Sequence, residues 1–289
     1  MSSIAETIQS EPAAALGSSW SLWLRQIGAI MRLEVKRNFF GKRAVLIYLM
    51  ALMPMGLLTL IAVVKPNDRD WVDFAHYPQL FSVIYNVLIL RTVIFFGCAW
   101  IFMNLFRGEI VDRSLHYYFL SAVRREVLLA GKYLSGLVTA VVLFSIVTVL
   151  SMFLTFFPHF FSASVRFFLD GAGIGQLFSY LVITMLACVG YGAFFLVVGL
   201  FFRNPIIPAL VLYGWEWINF LLPPLLKKIS VIHYLNSLVP VPLSEGPFAV
   251  VAEPTPAWIS IPGLLIVTVL VLIIAGRRIR RMEIRYGSD

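Results

Sequence analysis

Few residues in this chain combine the types and the spacing that catalysis or metal binding requires. No GxSxG, HExxH or CxxC sequence occurs, and no two histidines stand at metal-ligand spacing. The two cysteines, Cys98 and Cys188, lie inside apolar runs, so we expect neither a disulfide nor a zinc site. The four histidines fall in predicted loops or at the ends of predicted spans: His76, His116, His159 and His233. We therefore predict no catalytic residue, no metal site and no cofactor in this chain.

An enzyme and a secondary transporter are two classes of protein that stay open as alternative interpretations of this sequence. His76 with Asp73, or His159 with Asp170, could act as an acid–base pair, which would indicate an intramembrane or outer-face enzyme. A secondary transporter is the second alternative. Such transporters often contain internal repeats and several buried charges, whereas this sequence shows no convincing repeat and two charges inside apolar runs.

Those two charges are Arg91 and Glu216, each near the middle of a long apolar run. Glu216 is flanked by Trp215 and Trp217. Ionisable groups inside a membrane are costly and usually face the interior of a helix bundle. We expect Arg91 and Glu216 to pair or to line a translocation path, and a purely structural ion pair is the alternative. Three asparagines in the apolar runs are expected to hydrogen-bond between helices: Asn86, Asn104 and Asn219.

The composition explains why charges are so scarce. Of the 289 residues, 60% are hydrophobic and 13% are charged, and the mean hydropathy is +0.88. Soluble domains contain roughly 45–50% apolar and about 25% charged residues. The surplus of apolar residues must therefore face lipid. The net charge of +8 does not indicate nucleic-acid binding, because the basic residues flank the apolar runs.

The apolar runs predict an all-α polytopic protein with six spans. A hydrocarbon core of roughly 30 Å requires about 20 helical residues. The six candidate spans are residues 44–64, 80–106, 134–157, 175–202, 206–226 and 261–276. They form a predicted transmembrane domain, residues 44–276, between a disordered N-terminal tail of residues 1–19, without the features of a secretory signal, and a basic C-terminal tail of residues 277–289.

The basic residues predict the orientation. Six spans place both termini on one side, and the segments on that side contain 17 of the 23 Lys and Arg residues, against five on the other side. The positive-inside rule therefore predicts that both termini are cytoplasmic, in a plasma (inner) membrane.

Residues 20–43 have the pattern of an amphipathic helix that lies in the cytoplasmic interface. One apolar stripe consists of Trp20, Trp23, Leu24, Ile27, Met31 and Val35, and basic residues on another face include Arg25, Arg32 and Lys36. Glu34 falls inside the apolar stripe. We expect it either to snorkel or pair with Arg37 or Asn38, or to contact a partner protein.

The longest cytoplasmic loop, residues 107–132, resembles the corresponding loop of type-2 ABC-transporter permeases. Matching positions are Glu109, Ser114, Leu115, Ser121, Val123, Arg125, Gly131 and Lys132. Two residues depart from the pattern, because Ser114 replaces a threonine and Ala122 replaces a proline. The interfacial helix, the six spans and a long outer segment before the last span also match, so the resemblance covers almost the whole chain.

The resemblance implies that this loop is a coupling helix that docks on an ATPase subunit of an exporter. Residues assigned to this role are Glu109, Ser114, Tyr117, Tyr118, Ser121, Arg124, Arg125 and Glu126. The aromatic cluster of Tyr117, Tyr118 and Phe119 offers more apolar surface than a solvated loop needs, which suits a protein interface. Anchoring of these aromatic rings to lipid headgroups is the alternative.

The chain is not expected to hydrolyse ATP itself. Gly41-Lys42 is followed by Arg43 and Gly131-Lys132 by Tyr133, so no Walker A sequence is present. The resemblance therefore implies a P-loop ATPase partner that binds ATP and Mg²⁺. It also implies a second permease half, identical or different, because six spans form half of such a transporter.

The outer segment, residues 227–260, mixes apolar residues with five prolines. It is too interrupted to cross the membrane, so we predict a re-entrant or surface helix followed by a proline-stiffened loop. The resemblance suggests that this segment gates the exit of the pathway, and a simple outer cap is the alternative.

Overall fold

The computed structural model describes residues 19–41, 44–64, 74–111, 123–158, 161–202, 204–227, 230–241 and 256–280. Within these ranges the chain is helical and contains no β-strand, which confirms the all-α prediction. Five of the described helices are long and apolar enough to cross a membrane, as expected of a multi-pass membrane protein. They correspond to the predicted spans 44–64, 80–106, 134–157, 175–202 and 261–276.

The helices follow one another in a simple order. An N-terminal helix and a first long helix are α1 (Ser19–Phe40) and α2 (Ala44–Val64). The second long helix is continuous but changes type, from a 3₁₀ turn (Phe74–His76) to α3 (Tyr77–Ile84), a π-helix (Tyr85–Ile94) and α4 (Phe95–Val111). The remaining helices are α5 (Arg125–Phe156), α6 (Phe161–Leu169), α7 (Gly173–Phe201), α8 (Ile206–Trp217), α9 (Pro224–Lys227), α10 (Val231–Asn236) and α11 (Ala257–Arg280).

The predicted fifth span, residues 206–226, is not a continuous helix. It consists of α8, a 3₁₀ turn (Ile218–Leu221) and the single turn α9. The break follows from Pro223 and Pro224, because a proline lacks a backbone N–H and disfavours the helical conformation of the residue before it. Leu222 is accordingly extended, with φ −75° and ψ 148°.

The bundle is organised around α5 and α7. The helix α7 packs against α4, α5 and α11, and α5 also packs along α1 and α2. The helix α1 therefore has one face on the protein, and Ile30 on that face lies against Gly131 of α5. Lipid-exposed helices associate through such small residues, because lipid supplies no hydrophobic driving force between them.

A glycine also sets the spacing between α4 and α7. A Cβ atom built on Gly199 would lie 2.9 Å from the main-chain oxygen of Met103, which cannot move aside as a side chain could. Gly56 on α2 has no such neighbour within 4 Å. The two positions therefore form a matched pair for testing the packing.

We predict that Gly199→Ala destabilises the protein and that Gly56→Ala does not. Overpacking at Gly199 is expected to cost about 1–3 kcal/mol. Alanine is otherwise the better helix former by about 1 kcal/mol, so Gly56→Ala should leave stability unchanged or raise it. Thermal unfolding of the two variants in detergent measures the difference, and equal melting temperatures would contradict the packing between α4 and α7.

Candidate functional site

A π-helix in the middle of the second long helix turns two polar side chains towards each other. Arg91 Nε donates a hydrogen bond to Asn86 Oδ1 at 3.0 Å, and Thr92 Oγ1 donates one to the main-chain oxygen of Val87 at 3.0 Å. Both pairs are five residues apart, a separation of about 140° around an α-helix. The wider π turn is what brings Arg91 over Asn86. π-Helical segments are rare and occur frequently at functional sites.

The same two side chains connect this helix to the last third of the chain. Arg91 Nη1 donates to the main-chain oxygen of Glu216 at 3.2 Å, and the guanidinium lies 5.4 Å from the ring centroid of Trp217. Asn86 Nδ2 donates to Asn236 Oδ1 at 2.6 Å. The π-helix is therefore tied to α8 through Arg91 and to α10 through Asn86.

The carboxylate of Glu216 binds the start of α10. Its Oε2 accepts hydrogen bonds from Ser230 Oγ at 2.7 Å and from the Ile232 N–H at 3.0 Å, and its Oε1 accepts one from the Val231 N–H at 3.1 Å. Glu216 is 6% exposed. The structure thus brings Arg91 and Glu216 together, but Arg91 reaches the main chain of Glu216 while the carboxylate holds α10.

The helix α10 is buried among the long helices. Val231, Ile232 and Leu235 are buried, and α10 packs against α7 and α11. A Cβ atom built on Gly190 of α7 would lie 3.1 Å from both Val231 and Leu264 of α11. The absence of a side chain at Gly190 therefore makes room for α10.

A second buried charge cluster lies at the opposite end of the bundle. Lys132 Nζ donates to Glu34 Oε1 at 2.7 Å, and the two side chains are 0% and 3% exposed. Lys132 Nζ also donates to the main-chain oxygen of Leu105 at 2.9 Å and lies 5.3 Å from the ring centroid of Phe106. One lysine thus joins α1, α4 and α5.

This ion pair corrects the expectation for Glu34. Neither alternative named Lys132, which is 98 residues away in sequence. Glu34 pairs with Lys132 because the face of α1 that carries Glu34 packs on α5 instead of on lipid. Since a buried carboxylate requires a partner, the buried lysine of α5 satisfies it. The other named residues of the predicted interfacial helix are less buried than Glu34. Trp23 is half-buried, and the exposed ones are Trp20, Arg25, Arg32 and Lys36.

The described part of the predicted coupling loop is bound to the chain itself. Arg125 Nη1 donates to the main-chain oxygens of Ile279 at 3.2 Å and Arg280 at 2.7 Å, at the end of α11. Glu126 forms ion pairs with Arg280 at 2.5 Å and Arg124 at 3.7 Å. The start of α5 therefore holds the end of α11.

The other predicted coupling residues are not described by the structure. The side chain of Glu109 and all of residues 112–122 lie outside the described parts, including Ser114, Tyr117, Tyr118 and Ser121. Arg124 is described, and its guanidinium lies 5.0 Å from the ring centroid of Trp23 on α1. Of the two acid–base pairs considered above, Asp73 and His159 also lie outside the described residues.

Sequence reasoning missed the residues that complete both clusters. Ser230 and Asn236 each lie in a short polar interruption of the outer segment. From the sequence, Lys132 is interpreted as a cytoplasmic basic residue and as part of the matched Gly-Lys. A lysine seven residues inside a 32-residue apolar helix is nevertheless itself a signal of a buried partner.

Comparison with known proteins does not assign the chain to a family. No family model matches the chain, and no match is found among curated proteins or among solved structures. We therefore infer the function of the chain from this geometry and from the sequence resemblance.

We predict that the Lys132–Glu34 pair behaves as a unit in stability measurements. Lys132→Met or Glu34→Met alone leaves one buried charge without its partner and should cost about 3–5 kcal/mol. The double variant should recover most of that loss, because replacing a whole buried pair by apolar residues is often neutral or stabilising. Thermal unfolding in detergent measures the stability of the wild-type chain, the two single variants and the double variant.

Lys36→Met is the control for this cycle, because Lys36 lies on the same helix as Glu34 and is exposed. Its effect should be within about 0.5 kcal/mol. Additive losses in the double variant would contradict a direct ion pair.

Proposed function

We propose that this chain is the permease subunit of an ATP-binding-cassette exporter, which forms the translocation pathway and works with a separate ATPase. The observation that carries the proposal is the junction at Lys132. The loop of residues 107–132 begins in α4 and ends in α5, and Lys132 binds both helices and α1. Arg125 adds the end of α11. A force applied to the loop therefore reaches four helices at once.

Coupling through this junction has a physical basis. Buried side chains are packed at near-crystalline density, so helices joined there move as a body and do not deform. The helix α5 then runs for 32 residues, about 48 Å, which is long enough to cross the membrane and reach the opposite end of the bundle. ATP and Mg²⁺ would be bound by the partner ATPase, whose closure would push the loop.

The proposal includes six spans, with a fifth that is interrupted. The helix α8 contributes 12 residues and the following 3₁₀ turn contributes four. At the rises of the two helix types this segment extends about 26 Å, close to the roughly 30 Å hydrocarbon core. With this crossing both termini lie on the cytoplasmic side of the plasma membrane, in agreement with the basic residues.

We further propose that α10 is re-entrant. It begins beside Leu264, which lies 13 residues, or about 20 Å, before Arg277 at the basic end of α11. In a core of roughly 30 Å, this position is about 10 Å below the outer surface. The bends on either side of α10 are tolerated at such depth only inside protein, and the burial of α10 meets that condition. A short helix held by Glu216 and Asn86 suits a gate at the exit.

A secondary transporter is the second candidate, and a specific observation favours it. Interrupted helices next to charged side chains occur at the binding sites of such transporters, and α8, α10, Arg91 and Glu216 form an arrangement of this kind. An ion gradient, not ATP, would then supply the energy. The two candidates differ in whether an ATPase associates with the chain.

We predict that a P-loop ATPase copurifies with the tagged chain from its native membrane in mild detergent. Tyr117→Ala with Tyr118→Ala should reduce the copurified ATPase by about tenfold, because buried aromatic residues supply much of the binding energy of an interface. Western blotting of the membrane fraction checks that insertion is unchanged.

Trp258→Ala is the matched control, because Trp258 is an exposed aromatic residue at the opposite end of the bundle. It should leave the amount of ATPase unchanged. The exporter proposal fails if no ATPase copurifies, and the docking role of the loop fails if the tyrosine variant retains it in full.

A further inference from the structure

A cavity lies next to the polar cluster, lined by residues of α4, α7, α8 and the start of α10. Its volume is about 230 Å³. Five aromatic residues line it, and the four that carry no hydroxyl group are Phe95, Phe194, Phe195 and Trp215. Two residues that line it carry polar side chains, Tyr191 and Glu216. The cavity is thus an apolar, aromatic space with a small polar region.

The hydroxyl group of Tyr191 points to a ligand. Tyr191 is 3% exposed, and among the described residues its Oη atom makes no hydrogen bond of acceptable geometry, although the carboxylate of Glu216 lies close enough to interact with it. Its charged neighbours are Glu216 and Arg91. A buried hydroxyl without a partner is unfavourable, so such a group requires an explanation. A bound molecule that hydrogen-bonds to Oη supplies one.

The carboxylate of Glu216 has room for one more donor. An ionised carboxylate has about four lone-pair sites. Two donors reach Oε2 and one reaches Oε1, so a site on Oε1 remains. The cavity therefore offers two oxygen atoms, Glu216 Oε1 and Tyr191 Oη, to a group that donates hydrogen bonds.

A positively charged donor fits the rest of the cavity best. The faces of aromatic rings attract cations, most strongly where water is excluded. Arg91 already lies beside Glu216, where it donates to the main-chain oxygen of that residue and to Asn86 Oδ1, so the aromatic walls are what favour a further cation in this cavity. A metal ion is less suitable, because the walls supply aromatic carbon where a hard cation requires further oxygen ligands.

We propose that this cavity binds a small lipophilic amine in its protonated form. The ammonium group donates to Glu216 Oε1 and Tyr191 Oη, and the apolar part of the amine packs among the four aromatic rings. A dry cavity of about 150 Å³ accommodates benzene, so 230 Å³ accommodates a ring with a short aminoalkyl chain. That the amine is a transported cargo rests on the proposed export function.

The test measures binding to the full chain in phosphatidylcholine nanodiscs by calorimetry at pH 7. The probes are 2-phenylethylamine and the neutral 2-phenylethanol, which is similar in size. The amine should bind the wild-type chain about tenfold more tightly than the alcohol, because hydrogen bonds to a charged group are stronger than neutral ones. Equal affinities would overturn the proposal.

Two variants locate the amine. Glu216→Gln should abolish the preference for the amine, and Tyr191→Phe should weaken amine binding by roughly fivefold. Tyr180→Phe is the control, because Tyr180 is another buried phenol whose Oη lacks a partner among the described residues and which does not line the cavity. If Tyr191→Phe and Tyr180→Phe change the affinity equally, the amine does not occupy this cavity.

The outcome is independent of the ATPase experiment. Amine binding by a chain with which no ATPase associates supports the cavity and overturns the assignment of the amine as exported cargo. Association of an ATPase with a chain that does not distinguish the amine from the alcohol overturns the cavity proposal alone.

Discussion

The buried ion pair between Lys132 and Glu34 is the constraint on which the rest of the arrangement depends. Two charges removed from water are costly unless they are paired and hydrogen-bonded, so the sequence tolerates them only where α1 and α5 fit closely. Gly131, beside Lys132, provides that fit by accepting Ile30 of α1. The bond from Lys132 to Leu105 then fixes α4 in the same place. An amphipathic helix that could otherwise lie freely on the membrane becomes part of the bundle.

The charges of the polar cluster at α10 also have hydrogen-bond partners, but those partners are mainly main-chain groups. Here Arg91 donates to the main-chain oxygen of Glu216, and the carboxylate of Glu216 accepts from main-chain N–H groups at the start of α10, so both side chains satisfy main-chain groups where helices are interrupted. Main-chain groups without partners are costly when they are buried, so an interrupted helix needs such side chains beside it. The charges therefore explain how α8 can end early and how α10 can be buried. The cavity lies beside this interruption, and Glu216 and Val231 are among the residues that line it.

Much of the fold follows from the sequence, because long apolar runs and their basic flanks are governed by bilayer thickness and charge. The break after Leu221 could also have been predicted from Pro223 and Pro224. The partners of Glu34 and Glu216 could not, because they depend on which faces of distant helices meet. The π-helix around Arg91 could not have been predicted either, because no residue type in this segment indicates it. It is recognised only in the structure, where it places Arg91 over Asn86. The function that the resemblance of the loop 107–132 implies stays a proposal, and Lys132 and Arg125 are the described residues on which it rests.

The central claim is that the chain crosses the membrane six times and presents the loop 107–132 to the cytosol. Labelling of single cysteines with an impermeant maleimide tests it most directly, and the native Cys98 and Cys188 are buried and should react slowly. We predict that Ser121→Cys is labelled in inside-out vesicles and not in intact cells, and that Asp68→Cys shows the reverse. Labelling of Ser121→Cys from outside intact cells would contradict the account.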